Sequence, residues 1–319
     1  MSVQKREIIH ILGRHSDLSA ETLGQLLQRY VYRQPADWYR FVRWCLLALG
    51  AGFLVSGITF FFAYNWNDLH KFLKIGIMAA LVILVTLPVV FSSWPDMVKK
   101  ILLTAASVLA GVLFAVFGQV YQTGADAFDF FLGWMVFITL WVIVSDFPPL
   151  WLGYLALLNL NITSYADQVA RGWTPLMVLT ILTIFNGSVA IAGHHFRSKS
   201  RDIRVPDWLL SVIVLAAAGF ATSGVILGIF GGYDHAFPVL LAFIAVVYPL
   251  AVDYGLRRRR IFYLAVIALS SLVMFCSLIL KFNSGQMMFL FLSFFIIISV
   301  TLLISFFLKL QRDWDHEKK

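Results

Sequence analysis

Apolar runs of about 20 residues recur along nearly the whole chain, separated by short polar or Gly/Pro-bearing turns. No other feature limits the possible folds so sharply. An α-helix rises about 1.5 Å per residue and the hydrocarbon core of a bilayer is about 30 Å thick, so about 20 apolar residues make one crossing. On that ruler ten segments are expected, near 44–64, 72–91, 101–121, 130–145, 149–163, 174–194, 208–230, 237–254, 261–280 and 287–308. Composition agrees. Charged residues make up 13% of the chain, hydrophobic ones 60%, and mean hydropathy is +0.83, whereas a soluble domain carries about 25% charged residues. The expected fold class is all-α, a polytopic transmembrane helix bundle of about ten spans.

The basic residues orient that bundle, because cytoplasmic loops collect Lys and Arg. With the N-terminus inside, ten spans leave outside only Lys71, Lys74, Arg171 and Lys281 of the 25 lysines and arginines. The net charge of +8 therefore reports topology before it reports any nucleic acid. Three regions follow: a cytoplasmic helical hairpin over 1–43, the bundle over 44–308, and a cytoplasmic tail over 309–319. No apolar h-region with a small-residue cleavage site opens the chain, so the first span is expected to act as its own targeting signal. The fourth and fifth segments are short, and Asp146-Phe147-Pro148-Pro149 between them interrupts any helix. They are either two spans or a re-entrant hairpin, and both choices leave the later loops on the same side.

In the N-terminal region Leu23, Leu26, Leu27, Tyr30 and Val31 repeat at helical spacing after Ser19, a residue suited to an N-cap. An earlier helix over 3–12 ends at Gly13. The pair is similar to the first two helices of a winged helix-turn-helix, but Gln28 to Pro35 lead toward the membrane and leave no recognition helix. A helical hairpin at the membrane surface, without nucleic-acid binding, is the expectation.

Two stretches are unusual for span ends. The first is Phe60-Phe61-Phe62-Ala63-Tyr64-Asn65-Trp66-Asn67-Asp68-Leu69, and the second is Phe117-Gly118-Gln119-Val120-Tyr121-Gln122-Thr123-Gly124-Ala125-Asp126. Together with the N-terminal hairpin they resemble the bacterial predicted membrane proteins grouped as domain of unknown function 2157, over roughly the first half of the chain. The resemblance implies a multi-pass protein of the bacterial inner membrane and supplies no catalytic residues.

Both stretches fall at the outer ends of their spans, where a simple loop needs only turn residues. A ligand-binding site is expected there from Asn65, Trp66, Asp68, Gln119, Tyr121, Gln122 and Asp126. If helix continues through the second stretch, Gln119, Gln122, Asp126 and Asp129 share one face. Polar groups at that depth need partners or a wet cavity. The competing reading makes Asn65 and Gln119 helix ends, Asp126 an N-cap, and Trp66 and Tyr121 members of the interfacial aromatic belt.

Elsewhere the structural reading leads. Asn159, Asn161 and Asn186 are expected to bond neighbouring helices, Asp253 to pair with the arginines that follow it, and Arg257 to Arg260 to meet anionic lipid heads. Gly52 with Ser56, and Gly224 with Gly228, mark close helix packing. Cys45 and Cys276 lie in apolar runs as small hydrophobes. His194-His195 lacks a further ligand motif, and no nucleotide loop, His-Glu-x-x-His or Gly-x-Ser-x-Gly occurs. No metal or cofactor is expected. The favoured reading is a non-enzymatic membrane component, a sensor or complex subunit that meets a ligand or a membrane or cytoplasmic protein partner. A small-solute transporter or channel is the alternative, followed by an intramembrane enzyme.

Overall fold

A chain in hydrocarbon must pair every backbone N–H and C=O within itself, which leaves helices as the economical solution for such apolar segments. The structure, a computed structural model, describes residues 9, 11, 13, 15, 19–30, 35–64, 70–121, 127–199, 205–232, 234–282 and 286–316. Among these, nine helices are long and apolar enough to cross a membrane. The chain divides into two compact units, Met1–Thr123 and Gly124–Lys319.

The first unit holds α1 (Ala20–Tyr30), α2 (Pro35–Tyr64), α3 (Lys71–Phe91) and α4 (Asp96–Tyr121). Ser19 caps α1 as its sequence suggests, accepting the Thr22 amide at 3.2 Å. The expected helix over 3–12 lies for the most part outside the described residues, as does Val31. Helix α4 packs against both α2 and α3, burying Ala106, Leu109 and Ala110 completely. Small residues on that face let the helices approach. Helix α2 starts well before the expected 44 because helical hydrogen bonding does not stop at the edge of the hydrocarbon. Arg40 and Arg43 lie on its exposed leading turns, where long cationic chains reach the polar interface. Gly52 corrects an expectation: a Cβ there would meet nothing within 4 Å, so it marks no close approach in this unit.

The second unit holds α5 (Ala127–Ser145), α6 (Pro148–Gln168), α7 (Pro175–Lys199), α8 (Asp207–Phe230), α9 (Ala236–Arg257), α10 (Ile261–Phe282) and α11 (Gln286–His316). The turn between α5 and α6 uses Asp146 at φ 42°, a left-handed conformation that Asp tolerates. Pro148 and Pro149 then open α6, where a missing N–H costs nothing. Helix α6 runs to Gln168, five residues past the expected end, and its 21 residues give it span length. It is not among the nine apolar helices because Asn159, Asn161, Thr163 and Asp167 lower its hydropathy.

Those polar residues tie helices together. Asn159 and Asn186 form a reciprocal amide pair between α6 and α7, with contacts of 2.7 and 3.3 Å, and each also donates to a carbonyl of its own helix. Asn161 donates to the Phe128 carbonyl, the Phe128 amide donates to Gln168, and Thr139 meets the Tyr154 hydroxyl at 2.9 Å. The expected helix-bonding role of all three asparagines is met.

Helices α7, α8, α9 and α10 pack as a bundle, and α11 packs on α10. Gly224 and Gly228 lie against Leu240 and Phe237, and an added Cβ would come within 2.7 and 2.1 Å of them. The small-residue spacing read from sequence is a true close approach here. At the same end Asp234 accepts the Ala236 amide, capping α9, and the Thr174 hydroxyl from the loop before α7. Those hydrogen bonds hold its carboxyl below the ordinary carboxylate range. Toward the lipid side, side chains such as Phe53, Phe60 and Phe91 are at least 74% exposed, as suits an apolar solvent. Helix α11 runs to His316, so the expected tail over 309–319 is largely its continuation.

Two outcomes follow. Replacing Asn186 by Leu is expected to cost about 1–2 kcal/mol by stranding the Asn159 carbonyl oxygen, while the double change to Leu at 159 and 186 recovers most of that loss. Thermal unfolding in detergent checks this, and strictly additive losses would refute the pair. Because the folded Asp234 carboxyl titrates below its unfolded value, its stabilising contribution is complete above the unfolded value of about 3.9 and is lost as pH falls through the folded one. Asp234→Asn should therefore flatten the fall in unfolding temperature between about pH 5 and about pH 3. An unchanged acid limb would show that the cap carries no linkage.

Candidate functional site: an apolar cavity under an arginine turn

Most of the site expected at the outer span ends, Asn65, Trp66, Asp68, Gln122 and Asp126, lies outside the described residues. Gln119 and Tyr121 are described, both exposed in the last turn of α4, with the Tyr121 ring against Phe117 at 4.6 Å. Residues two apart on a helix point to different sides, so these two do not share a face. Asp129 sits in the first turn of α5, on a separate helix from Gln119.

The second unit contains a cavity that sequence reading did not anticipate. It lies among α7, α8, α9 and α10, has a volume of about 240 Å³, and is walled mainly by Ala, Ile, Val, Leu and Phe side chains. Packing plugs it on two sides. Leu176, Val225 and Leu240 close one end of the bundle, and Ala190, Leu209 and Ile213 fill the space between α7 and α8. The hydroxyls in its wall are engaged by the bundle itself: Thr183 donates to the Leu179 carbonyl, and Tyr248 meets Ser270 at 2.6 Å, which in turn meets Thr222 at 2.7 Å. The surface facing the space is almost wholly carbon.

At one end the cavity reaches His194, Tyr254 and Tyr263. These rings pack edge to face or tilted, with centroids 4.5 Å apart for His194 and Tyr254 and 5.4 Å for each with Tyr263. Beyond them opens a polar vestibule lined by His194, His195, Asp253, Arg257, Arg258 and Arg260. The two spaces share Ile191, His194, Leu250 and Tyr254. Three arginines line it, and the carboxylates of Asp253 and Asp207 answer two of them, so the mouth keeps a net positive charge.

The turn that carries the arginines is built by local hydrogen bonding. The Arg260 amide reaches back to the Gly255 carbonyl and the Arg258 amide to Tyr254, closing α9 in the manner of a Schellman end, with Arg259 at φ 52°. Gly255 is needed because Leu264 would stand 2.9 Å from any Cβ. Arg257 pairs with Asp253, as expected, at 2.8 Å; Arg260 pairs with Asp207 of α8 at 2.9 Å; Arg259 donates to the Trp314 carbonyl of α11. Besides the lipid heads expected for this run, three of the four arginines bind protein groups and fasten three helix ends together. Among the described residues no group of three or more His, Cys, Asp or Glu is placed to hold a metal ion.

One signal for the cavity was present in sequence. Phe237, Leu241, Ile244, Tyr248, Ala251 and Tyr254 repeat along one face of α9. Such a stripe faces lipid, helix or cavity with equal ease, and only the neighbouring helices decide.

These features define a polytopic helical membrane protein with an apolar cavity among its helices. Residues 14–151 match the model of a family described as predicted membrane protein (DUF2157). The matched residues stop at the start of α6, so the cavity and the arginine turn lie beyond them. No curated protein and no solved structure matches the chain.

Proposed function

We propose that the protein is a non-enzymatic ligand-binding component of the bacterial inner membrane, with both termini in the cytoplasm and the cavity among α7–α10 as its ligand chamber. The observation that carries this reading is the junction at His194, where an apolar cavity opens directly into an arginine-rich vestibule. Its wall hydroxyls serve the bundle, which favours binding over chemistry. The arginine turn faces the cytoplasm under the positive-inside rule. The N-terminal hairpin and the outer span ends, with Asn65, Trp66, Asp68, Gln119, Tyr121, Gln122 and Asp126, are then surfaces for a protein partner or second ligand, as in a sensor or complex subunit.

Reporter fusions after Arg258 and after the C-terminus should report cytoplasm, and a fusion after Asp234 the outside. A periplasmic signal at Arg258 would overturn the orientation. In a strain lacking the protein, Ala251→Phe, which fills the cavity, is expected to fail to restore whatever trait the deletion removes while its membrane level stays normal. The same assay on Gln119→Leu and Asp126→Asn tests the outer surface. Full restoration by Ala251→Phe would remove the cavity from the function.

A further inference from the structure

Resting on the reading of the cavity as a ligand chamber, we infer that its ligand is a single-chain anionic amphiphile of the fatty-acid type, held with its chain between α8 and α9 and its carboxylate on the arginine turn.

The head is set by charge. Arg257, Arg258 and Arg260 line the vestibule, where Asp253 and Asp207 pair with two of them, and a guanidinium meets a carboxylate through two parallel N–H donors. Arg257 and Arg260 already hold Asp253 and Asp207 at exposed positions, where such pairs are weak and readily exchanged. An incoming carboxylate can therefore share these donors without dismantling a buried ion pair.

The tail is set by shape and depth. Residues Arg257 and Tyr248 are nine apart on α9, a rise of about 13 Å, which is close to one leaflet of hydrocarbon. The cavity fills that interval and is walled mainly by apolar side chains. Its volume of about 240 Å³ falls below the roughly 300–1,000 Å³ of pockets that enclose drug-sized ligands, so it admits one narrow chain and not a bulky body. A way in from the membrane is also present. The cavity shares Ile244 and Tyr248 with a second apolar space between α8, α9 and α10, which reaches Lys281 and Phe282 at the opposite end. Pro249 follows Tyr248 directly and removes one helical hydrogen bond at that junction, loosening α9 where a chain would slip sideways from lipid. Head at the interface and chain along the membrane normal is the orientation a fatty acid already has in a leaflet.

The test uses the full chain in phosphatidylcholine vesicles with a palmitic acid that carries a photoreactive diazirine on its chain. After illumination, adducts are expected on the α9 segment from Ile244 to Ala251, suppressed about tenfold or more by excess oleate and not by methyl oleate; about tenfold corresponds to the loss of one charged contact. Replacing Arg257 and Arg258 together by Gln should lower labelling to a similar extent, and Ala251→Phe should abolish it while labelling of lipid-facing α11 persists. If α9 is labelled but methyl oleate competes as well as oleate, the anionic head is wrong and the chamber stands. Suppression by phosphatidylglycerol vesicles equal to that by oleate would overturn the single chain in favour of a diacyl lipid. If α9 is labelled no more than α11, and Ala251→Phe also restores the deletion trait, the inference and the chamber fall together.

Discussion

Everything in this molecule depends on the requirement that hydrogen-bonding groups in hydrocarbon find partners within the protein. Backbone groups meet it by forming helices, and short hydroxyl side chains meet it by donating to the carbonyl one turn back, as Thr59, Thr86, Thr104, Ser107, Thr139, Thr180 and Ser277 do. Only a few side chains are left to bond between helices, and these define the register of the second unit. The Asn159–Asn186 pair, the Thr139–Tyr154 contact and the Tyr248–Ser270–Thr222 chain are the places where one helix specifies its neighbour. Apolar packing alone does so weakly, because lipid tails are as apolar as leucine.

The same economy shapes the cavity. Thr183 and Tyr248 in its wall bond within the bundle, so the space is lined mainly by carbon although it adjoins a cluster of arginines. The wall changes abruptly at His194, Tyr254 and Tyr263 from apolar to charged, and the proposed amphiphile site rests on that junction. The arginine turn has two roles that compete for the same donors: its ion pairs join α8, α9 and α11 at one end, and its residual charge marks the entrance. The opposite end is tied by the hydrogen bond from Thr174 to Asp234 and carries Lys281, so the two ends of the bundle are fastened by different groups.

Much of the architecture was legible in the residues. Span length, the helix-breaking Asp146-Phe147-Pro148-Pro149 and the Ser19 cap follow from local rules that a sequence displays directly. Gly224 and Gly228 were also read correctly, but Gly52, with a similar spacing, packs against nothing, because small-residue spacing states that an approach is possible and not that a neighbour takes it. The proposed outer site rested on an excess of polar residues at two span ends, and its described members, Gln119 and Tyr121, point to different sides of α4.

What the sequence determined by itself was the class: apolar segments of bilayer length can satisfy their backbones only as helices, and that holds whatever the helices touch. Tertiary structure alone decided which faces meet. The Phe237-to-Tyr254 stripe of α9 reads the same whether it faces lipid, protein or empty space, and Arg257 to Arg260 read the same whether they meet lipid heads or Asp253, Asp207 and the Trp314 carbonyl. Partners far apart in the chain settle both questions, because a side chain's role in a bundle is set by what lies across from it.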